Sequence, residues 1–188
     1  MKGAFWSFLE RFGRQGMQFV VSVVLARLLE PRDFGVMGMV TIFMVVAQAM
    51  VDAGFGKALI HYQQEDPGAE SAVFYFNVLV GCLLAGLLCL CAPYIAAFYE
   101  EPVLVPLVRV LSLNIVINAL GLIQGTLLTR DLAFKRRSLA AMGSLAVSAP
   151  VGIVMAWRGF GVWSLVGQAL AMNAGRGALV WGVSAWRP

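Results

Sequence analysis

Residues 71–92 read SAVFYFNVLVGCLLAGLLCLCA, a run of 22 residues without a charged side chain. A helix needs about 20 mostly apolar residues to cross a bilayer, so this run is long enough to span one. The whole chain has the same character, because 60% of its 188 residues are apolar and only 13% are charged. Soluble domains carry about 25% charged residues, since water has to wet their surface. The chain is therefore predicted to lie in a lipid bilayer.

Five further apolar runs of comparable length occupy the rest of the chain. Turn-forming and charged segments separate the runs, for example residues 30–33 (EPRD) and the segment 93–102, which begins and ends with proline. The predicted helices cover residues 5–29, 34–60, 71–92, 103–128, 138–157 and 160–186. This pattern predicts an all-α, polytopic membrane protein in which residues 1–188 form a single six-helix bundle.

Lysines and arginines between the runs predict the orientation of the bundle. The inner ends of the helices, with the N-terminus in the cytoplasm, hold Lys2, Lys57, Arg130, Lys135, Arg136, Arg137 and Arg187, and the outer ends hold Arg27, Arg32 and Arg158. Because basic loops resist translocation, we expect this N-in arrangement, and an even number of crossings returns the C-terminus to the cytoplasm.

The sequence lacks patterns for catalysis, metal binding and nucleic-acid binding. It has no Gly-x-Ser-x-Gly, no phosphate-binding loop ending in Gly-Lys-Ser/Thr, one histidine and no Cys-x-x-Cys. The three cysteines, Cys82, Cys89 and Cys91, lie inside one apolar run, where a thiol behaves as a small hydrophobic group. The bases are scattered along the chain, which does not indicate a nucleic-acid surface. We therefore expect no enzyme activity, no cofactor, no metal and no nucleic-acid partner.

Three of the predicted helices carry polar stripes at helical spacing. The stripes are formed by Arg11, Arg14, Gln15, Gln18 and Ser22 on the first helix, by Thr41, Gln48 and Asp52 on the second, and by Asn114 and Asn118 on the fourth. Such faces are unfavourable against lipid, so they are predicted to line a hydrated substrate path. Two alternatives remain open. Each Asn or Gln can instead join two helices by a hydrogen bond, and Glu10 can neutralise Arg14 four residues later.

Two pairs of small residues predict close helix packing instead of chemistry. Gly121 and Gly125 are four residues apart on the fourth predicted helix, and Ser148 and Gly152 have the same spacing on the fifth. Small residues at this spacing let two helix backbones approach each other closely in a membrane.

Five segments of the sequence are characteristic: WSFLERFGRQG (6–16), LARLLEPRDFG (25–35), DAGFGKALI (52–60), GFGVWSLV (159–166) and the closing WRP (186–188). They resemble segments of bacterial polysaccharide flippases. These segments are similar to lipopolysaccharide O-unit and colanic-acid-type exporters of the multidrug/oligosaccharidyl-lipid/polysaccharide superfamily. The resemblance covers essentially the whole chain. Members of that family have roughly twice as many helices, in two bundles, so the chain looks like the N-terminal bundle of a longer exporter.

The resemblance implies a function in lipopolysaccharide or exopolysaccharide biosynthesis. A family member flips an undecaprenyl-diphosphate-linked oligosaccharide across the bacterial inner membrane without changing it covalently. The implied partners are that lipid-linked substrate, the bilayer, and a C-terminal half or other polysaccharide assembly proteins. The alternatives are a cation-coupled drug exporter of the same superfamily and a non-transporting membrane subunit of polysaccharide assembly. A drug exporter favours an acidic, aromatic cavity, whereas here the charges predicted to lie inside the membrane are four arginines (Arg11, Arg14, Arg109 and Arg176) against Glu10 and Asp52.

A basic layer is predicted near the cytoplasmic side of the membrane. Arg176 lies about ten residues from the end of its run at Trp186, and Arg14 and Asp52 lie about as deep in theirs, roughly 12–15 Å at the helical rise. We expect Arg14 and Arg176, with Arg11 nearer the cytoplasm, to bind the diphosphate of the lipid carrier while Asp52 holds one arginine in position. The alternative is an Arg14–Asp52 ion pair that only joins the first two helices.

Overall fold

The computed structural model describes the backbone of residues 2–54, 67–130 and 134–183, and the side chains of residues 15–51, 71–122 and 142–182. Within these ranges the chain forms six helices and no strand, which confirms the predicted all-α bundle. The helices are α1 (Lys2–Leu28), α2 (Pro31–Gly54), α3 (Pro67–Tyr99), α4 (Leu104–Arg130), α5 (Phe134–Trp157) and α6 (Val162–Val183). The ends of the predicted second and sixth runs, residues 55–60 and 184–186, lie outside the described residues.

Among the residues that the structure describes, three helices are long and apolar enough to cross a membrane. Their apolar spans are Pro31–Val51 in α2, Ser71–Tyr99 in α3 and Leu104–Leu122 in α4. Two further helices hold shorter apolar segments, Gln15–Leu28 in α1 and Met142–Trp157 in α5. The chain is therefore a membrane protein, and the helices outside these three spans are those that carry the arginine-rich stripe, the basic segment 135–137 and Arg176.

The predicted break at residues 93–102 is wrong for its first seven residues, because α3 continues through Pro93 to Tyr99. Proline removes one helical N–H and clashes with the preceding turn, so the sequence favours an end there. The structure overrides this preference because Ile95 and Ala96 are buried against Leu104 and Leu107 of α4. The true turn is shorter, and Glu100 has the positive φ of 55° that reverses the chain.

The largest apolar core joins four helices near one end of the bundle. Its buried residues are Val36 and Val40 of α2, Ala92, Ile95 and Ala96 of α3, Leu104, Leu107, Val108 and Leu111 of α4, and Val162 and Val166 of α6. A second core lies between α2, α3 and α4 and includes Val51 and Ile115. The helix α4 contacts α2, α3, α5 and α6, so it forms the centre of the bundle.

Glycines allow the closest helix contacts. A methyl group added at Gly81 of α3 would lie 2.8 Å from Cβ of Ala119 on α4, and one added at Gly152 of α5 would lie 3.0 Å from Cβ of Gln168 on α6. Ser148 and Gly152 are both buried, which confirms the predicted close packing on the fifth helix. Gly121 lies next to Gly177 of α6, whereas the side-chain surroundings of Gly125 lie outside the described residues.

Three turns meet at one end of the bundle, which we call the outer end after the predicted orientation. They precede α2, connect α3 to α4, and connect α5 to α6. Arg32 in the first turn of α2 forms an ion pair with Glu101, and Asp33 lies 3.2 Å from a methyl group added at Gly161. Gly161 has a positive φ of 54°, so glycine suits this contact both in space and in backbone conformation. The opposite end is the inner end.

The lipid-facing side of α3 has the length of a bilayer. Leu79, Leu83, Leu87 and Leu90 are all exposed there, between the exposed rings of Tyr75 and Tyr94. These two tyrosines are nineteen residues apart, about 28 Å at the helical rise, which is close to the roughly 30 Å of a hydrocarbon core. Tyrosine is enriched at both membrane interfaces, so the two rings mark the boundaries of the apolar layer.

Candidate functional site

Four side-chain amides connect α2, α4 and α6 inside the bundle. Nδ2 of Asn173 donates to Oδ1 of Asn114 at 3.1 Å, and Nδ2 of Asn118 donates to Oε1 of Gln48 at 3.3 Å. We call these four residues the amide group. Asn114 and Asn118 are one turn apart on the same side of the central helix α4, so this side bonds to α6 at one level and to α2 one turn further along.

The amide group lies at the depth of the bilayer centre. Asn114 is ten residues beyond the start of α4 at Leu104, about 15 Å from the outer end. All four side chains are half-buried, and each amide has two N–H donors and a carbonyl acceptor, of which the hydrogen bond to its partner uses one. The bonds show the interhelical role for Gln48, Asn114 and Asn118. Their role in a substrate path stays a prediction.

Two asparagines in this region were not among the sequence-based candidates. Asn173 is not part of a polar stripe in the sequence, although Arg176 follows it by three residues and is its neighbour on the helix surface. Asn77 lies in the middle of the uncharged run, where its neighbours give no sign of a polar site. It is 1% exposed, and its Nδ2 is the one buried side-chain nitrogen or oxygen without a hydrogen-bond partner among the described residues.

The first helix packs on the bundle through its outer half. Val21, Leu25 and Leu29 are buried in a small core with Ala149 and Ala156 of α5. By contrast, every described residue of α1 from 15 to 20 is exposed, which includes the predicted site residues Gln15 and Gln18. The helix therefore separates from its neighbours towards the inner end.

Arg176 is exposed on α6, close to the inner end of the bundle. It lies fourteen residues after Val162, the first residue of α6, about 21 Å from the outer end at the helical rise. Arg11, Arg14 and Asp52 belong to α1 and α2, but their side chains lie outside the described residues. The predicted basic layer and the alternative Arg14–Asp52 ion pair thus both stay predictions.

The remaining polar groups near these sites have local partners. Thr41, part of the predicted stripe on α2, donates to the carbonyl of Met37 in its own helix at 2.7 Å. Ser112 donates to the carbonyl of Arg109 and lies 3.1 Å from Sγ of Cys89, so this cysteine sits in the α3–α4 contact. Among the described residues, no three His, Cys, Asp or Glu side chains lie close enough together to hold a metal ion.

Known proteins resemble the chain over almost all of its length. A family described as "Polysaccharide biosynthesis protein" matches residues 24–188. The succinoglycan biosynthesis transport protein ExoT of Rhizobium meliloti is 31% identical over 97% of the chain and 37% of its own length. The teichuronic acid biosynthesis protein TuaB of Bacillus subtilis is 29% identical over 100% of the chain and 39% of its own length.

A more distant relative is the lipopolysaccharide biosynthesis protein WzxC of Escherichia coli, which is 24% identical over 72% of the chain and 28% of its own length. The chain thus spans less than two-fifths of each of these three proteins. No solved structure matches it significantly.

Proposed function

The chain belongs to the family of polysaccharide biosynthesis proteins, and from this premise we propose that it is part of a transporter that flips a lipid-linked oligosaccharide across the bacterial inner membrane. The names of three relatives, for succinoglycan transport, teichuronic acid biosynthesis and lipopolysaccharide biosynthesis, support a substrate of this class. The transport step forms and breaks no covalent bond in the substrate, so it requires positioned binding groups and no catalytic residue.

The exposed polar side of α1 carries this proposal. Gln15 and Gln18 are exposed on a helix whose other described surface includes the exposed apolar residues Phe19 and Val20. An amide exposed to hydrocarbon loses its hydrogen bonds to water, at a cost of at least about 1 kcal/mol. A flippase needs such groups, because diphosphate and sugar hydroxyls have to cross about 30 Å of hydrocarbon in a wet route.

The basic residues supply the charge that a diphosphate needs. Arg176 is exposed on α6, and Arg11 and Arg14 precede Gln15 on α1. We propose that these three arginines bind the diphosphate from the cytoplasmic side, with Asp52 as the counter-ion of one arginine until substrate replaces it. Arginine pairs with phosphate oxygens through two parallel hydrogen bonds, so it suits this role better than lysine.

The proposed transporter contains more than these six helices. The relatives are more than twice as long as the chain, so a second membrane bundle is proposed to face the exposed surface of α1 and α2. A C-terminal half or another polysaccharide assembly protein is the proposed source of that bundle. Both termini of the chain are proposed to lie in the cytoplasm, as the distribution of bases predicts.

Deletion of the encoding gene in its native host tests the function. We expect loss of a surface polysaccharide and accumulation of its lipid-linked repeat unit in the inner leaflet, measured by accessibility of the sugar to an impermeant lectin in inside-out vesicles. Re-expression of the gene is the control. An unchanged lipid-linked pool with increased sensitivity to cationic drugs would instead indicate a drug exporter. Normal flipping with altered polymer length would indicate an assembly subunit.

A further inference from the structure

An arginine lies on the lipid-facing side of α4. The exposed residues of this side recur at the three- and four-residue spacing of one helix face, and they are Pro106, Arg109, Leu113 and Leu120. All of them fall within the apolar span Leu104–Leu122, so the exposed leucines on this face meet hydrocarbon. Arg109 is therefore a cation on a surface that otherwise contacts lipid.

The level of Arg109 is in the outer part of the apolar layer. Sγ of Cys89 on α3 lies 4.0 Å from the carbonyl oxygen of Arg109, so the two residues are at the same height. Cys89 precedes Tyr94, which marks the outer boundary of the layer, by five residues, about 7.5 Å at the helical rise. An arginine at this depth lays its apolar stem along the helix and brings its guanidinium to the level of the lipid headgroups.

The charge of Arg109 is not neutralised by the part of the protein that the structure describes. Its contacts there use the carbonyl oxygen, which accepts from Ser112 and Cys89, and its guanidinium has no hydrogen-bond or ion-pair partner among the described residues. Glu101, in the turn before α4, pairs with Arg32 instead. An unpaired cation is costly at the edge of hydrocarbon, so an anion supplied by the lipid itself is the favourable partner.

A gap in the surface of α3 lies beside Arg109, towards the membrane centre. Gly86 is three residues before Cys89, and Leu113 is four residues after Arg109 on the antiparallel helix α4, so Gly86 and Leu113 are also level. Nothing lies within 4 Å of a methyl group added at Gly86, whereas Leu90, one turn further along α3, is exposed. We call this gap the outer groove and define it by Gly86, Leu90, Arg109 and Leu113.

We infer that the outer groove binds an anionic phospholipid of the leaflet at the outer end, with its phosphate on Arg109 and an acyl chain between Gly86 and Leu113. A guanidinium gives a phosphate two parallel charge-assisted hydrogen bonds. Phosphatidylglycerol suits an unpaired arginine better than a zwitterionic lipid does, because the ammonium group of the latter competes for its own phosphate. This lipid is a component of the bilayer and not the transported substrate, so the site is separate from the amide group and from the arginines of the proposed function.

Lipid retention by the purified full chain tests this inference. The protein is placed in nanodiscs of phosphatidylcholine with a minor fraction of phosphatidylglycerol, and native mass spectrometry measures the phosphatidylglycerol that stays bound. We expect Arg109→Gln to lower this retention roughly tenfold, the loss of about one charge-assisted hydrogen bond. Gly86→Trp fills the groove without changing a charge and is expected to lower retention to a similar extent. The matched control is Arg158→Gln, because Arg158 is an exposed arginine at the same end of the bundle and outside the groove.

Several outcomes would overturn the site. Equal losses with Arg158→Gln and Arg109→Gln would show that surface charge alone explains retention. Phosphatidylcholine retained as strongly as phosphatidylglycerol would show that the headgroup charge is not recognised, and a preference for undecaprenyl phosphate would assign the groove to the lipid carrier instead. Full retention in a folded Gly86→Trp variant would show that no acyl chain lies in the groove. Circular dichroism checks the fold, and if Arg109→Gln does not fold, Gly86→Trp alone decides, since the space at Gly86 is open.

The alternative occupant of the outer groove is a second copy of the chain. In that case the native mass spectra would show dimers that Gly86→Trp converts to monomers, and this result would overturn the lipid site. We expect instead the same oligomeric state in the wild-type protein and in Gly86→Trp, with different lipid retention. Because the assay contains no transported substrate, its outcome is independent of the gene deletion that tests the proposed function.

Discussion

Nη2 of Arg32 donates to both carboxylate oxygens of Glu101, at 2.8 Å and 3.0 Å. The pair joins the first turn of α2 to the turn between α3 and α4. Its two residues are 69 positions apart in the sequence. It lies beyond Tyr94, on the water side of the apolar layer. Exposed pairs of this kind contribute little to stability, because water and ions screen them.

The Arg32–Glu101 pair is expected to show a small coupling energy. A double-mutant cycle of Arg32→Gln and Glu101→Gln should give about 0.2–1 kcal/mol, the usual value for exposed ion pairs, because the Arg32 side chain is 72% exposed. The measurement is reversible unfolding in mixed micelles at low and high salt. A coupling that does not decrease at high salt would contradict the electrostatic interpretation.

The contact between Gly81 and Ala119 predicts a large effect of one methyl group. Gly81→Ala places two Cβ atoms 2.8 Å apart, and neither can rotate away, so α3 and α4 have to separate. Overpacking of this kind costs typically about 1–3 kcal/mol of unfolding free energy. Gly86→Ala on the same helix is the matched control, because nothing lies within 4 Å of the added methyl group. Equal stability of the two variants would show that the helices do not approach this closely.

The Asn114–Asn173 bond is expected to contribute modestly to stability. A double-mutant cycle with Asn114→Leu and Asn173→Leu should give about 0.6 kcal/mol, the average for hydrogen bonds between membrane helices. A loss of export in Asn173→Leu with normal stability would indicate that the amide group contacts substrate. Normal export in that variant would leave Asn114 and Asn173 with a role in packing alone.

The orientation is testable by labelling single cysteines with an impermeant thiol reagent. In a background without Cys82, Cys89 and Cys91, Glu100→Cys should react in intact cells with a permeabilised outer membrane, because Glu100 is exposed in an outer turn. Ser138→Cys, near the start of α5, should react only after the inner membrane is opened. The reverse pattern would contradict the N-in orientation.

The two interpretations of Arg14 and Asp52 differ in a double variant of the complete transporter. If the residues only form a structural ion pair, Arg14→Ala/Asp52→Ala removes both charges, and folding and polysaccharide export both recover relative to the single variants. If Arg14 binds the diphosphate, the double variant reaches the membrane in normal amounts and still fails to export. Immunoblots of membranes and surface polysaccharide give the two readouts.

The helices were predictable because their signal is local. A helix in lipid needs an apolar run of fixed length, and charged turns interrupt such runs visibly in the sequence. The prediction at Pro93 was wrong because the sequence shows only the local effect of proline on the backbone. The burial of Ile95 and Ala96, which keeps the helix intact, depends on contacts with α4. Local preference and tertiary packing oppose each other there, and packing prevails.

The polar stripes were predictable as stripes, but their partners were not. Helical spacing places Asn114 and Asn118 on one side of α4, yet only the three-dimensional arrangement shows that Asn173 and Gln48 complete the pairs. In the same way, the sequence identifies a polar face on α1. It does not show which residues of α5 pack against α1, since those contacts depend on how the two helices are placed.

The close packing of α5 and α6 has a consequence for membrane insertion of the protein. Gly152 packs against Gln168, and Gly167 against Met155, so these two helices fit each other along much of their length. The α6 helix carries Gln168 and Arg176, and polar and charged side chains within a helix oppose its transfer from the translocon into lipid. A partner helix already in place lowers this cost, because α5 covers Gln168 at the contact with Gly152. We therefore expect α5 and α6 to leave the translocon as a hairpin, with α6 retained there until its glycines meet α5.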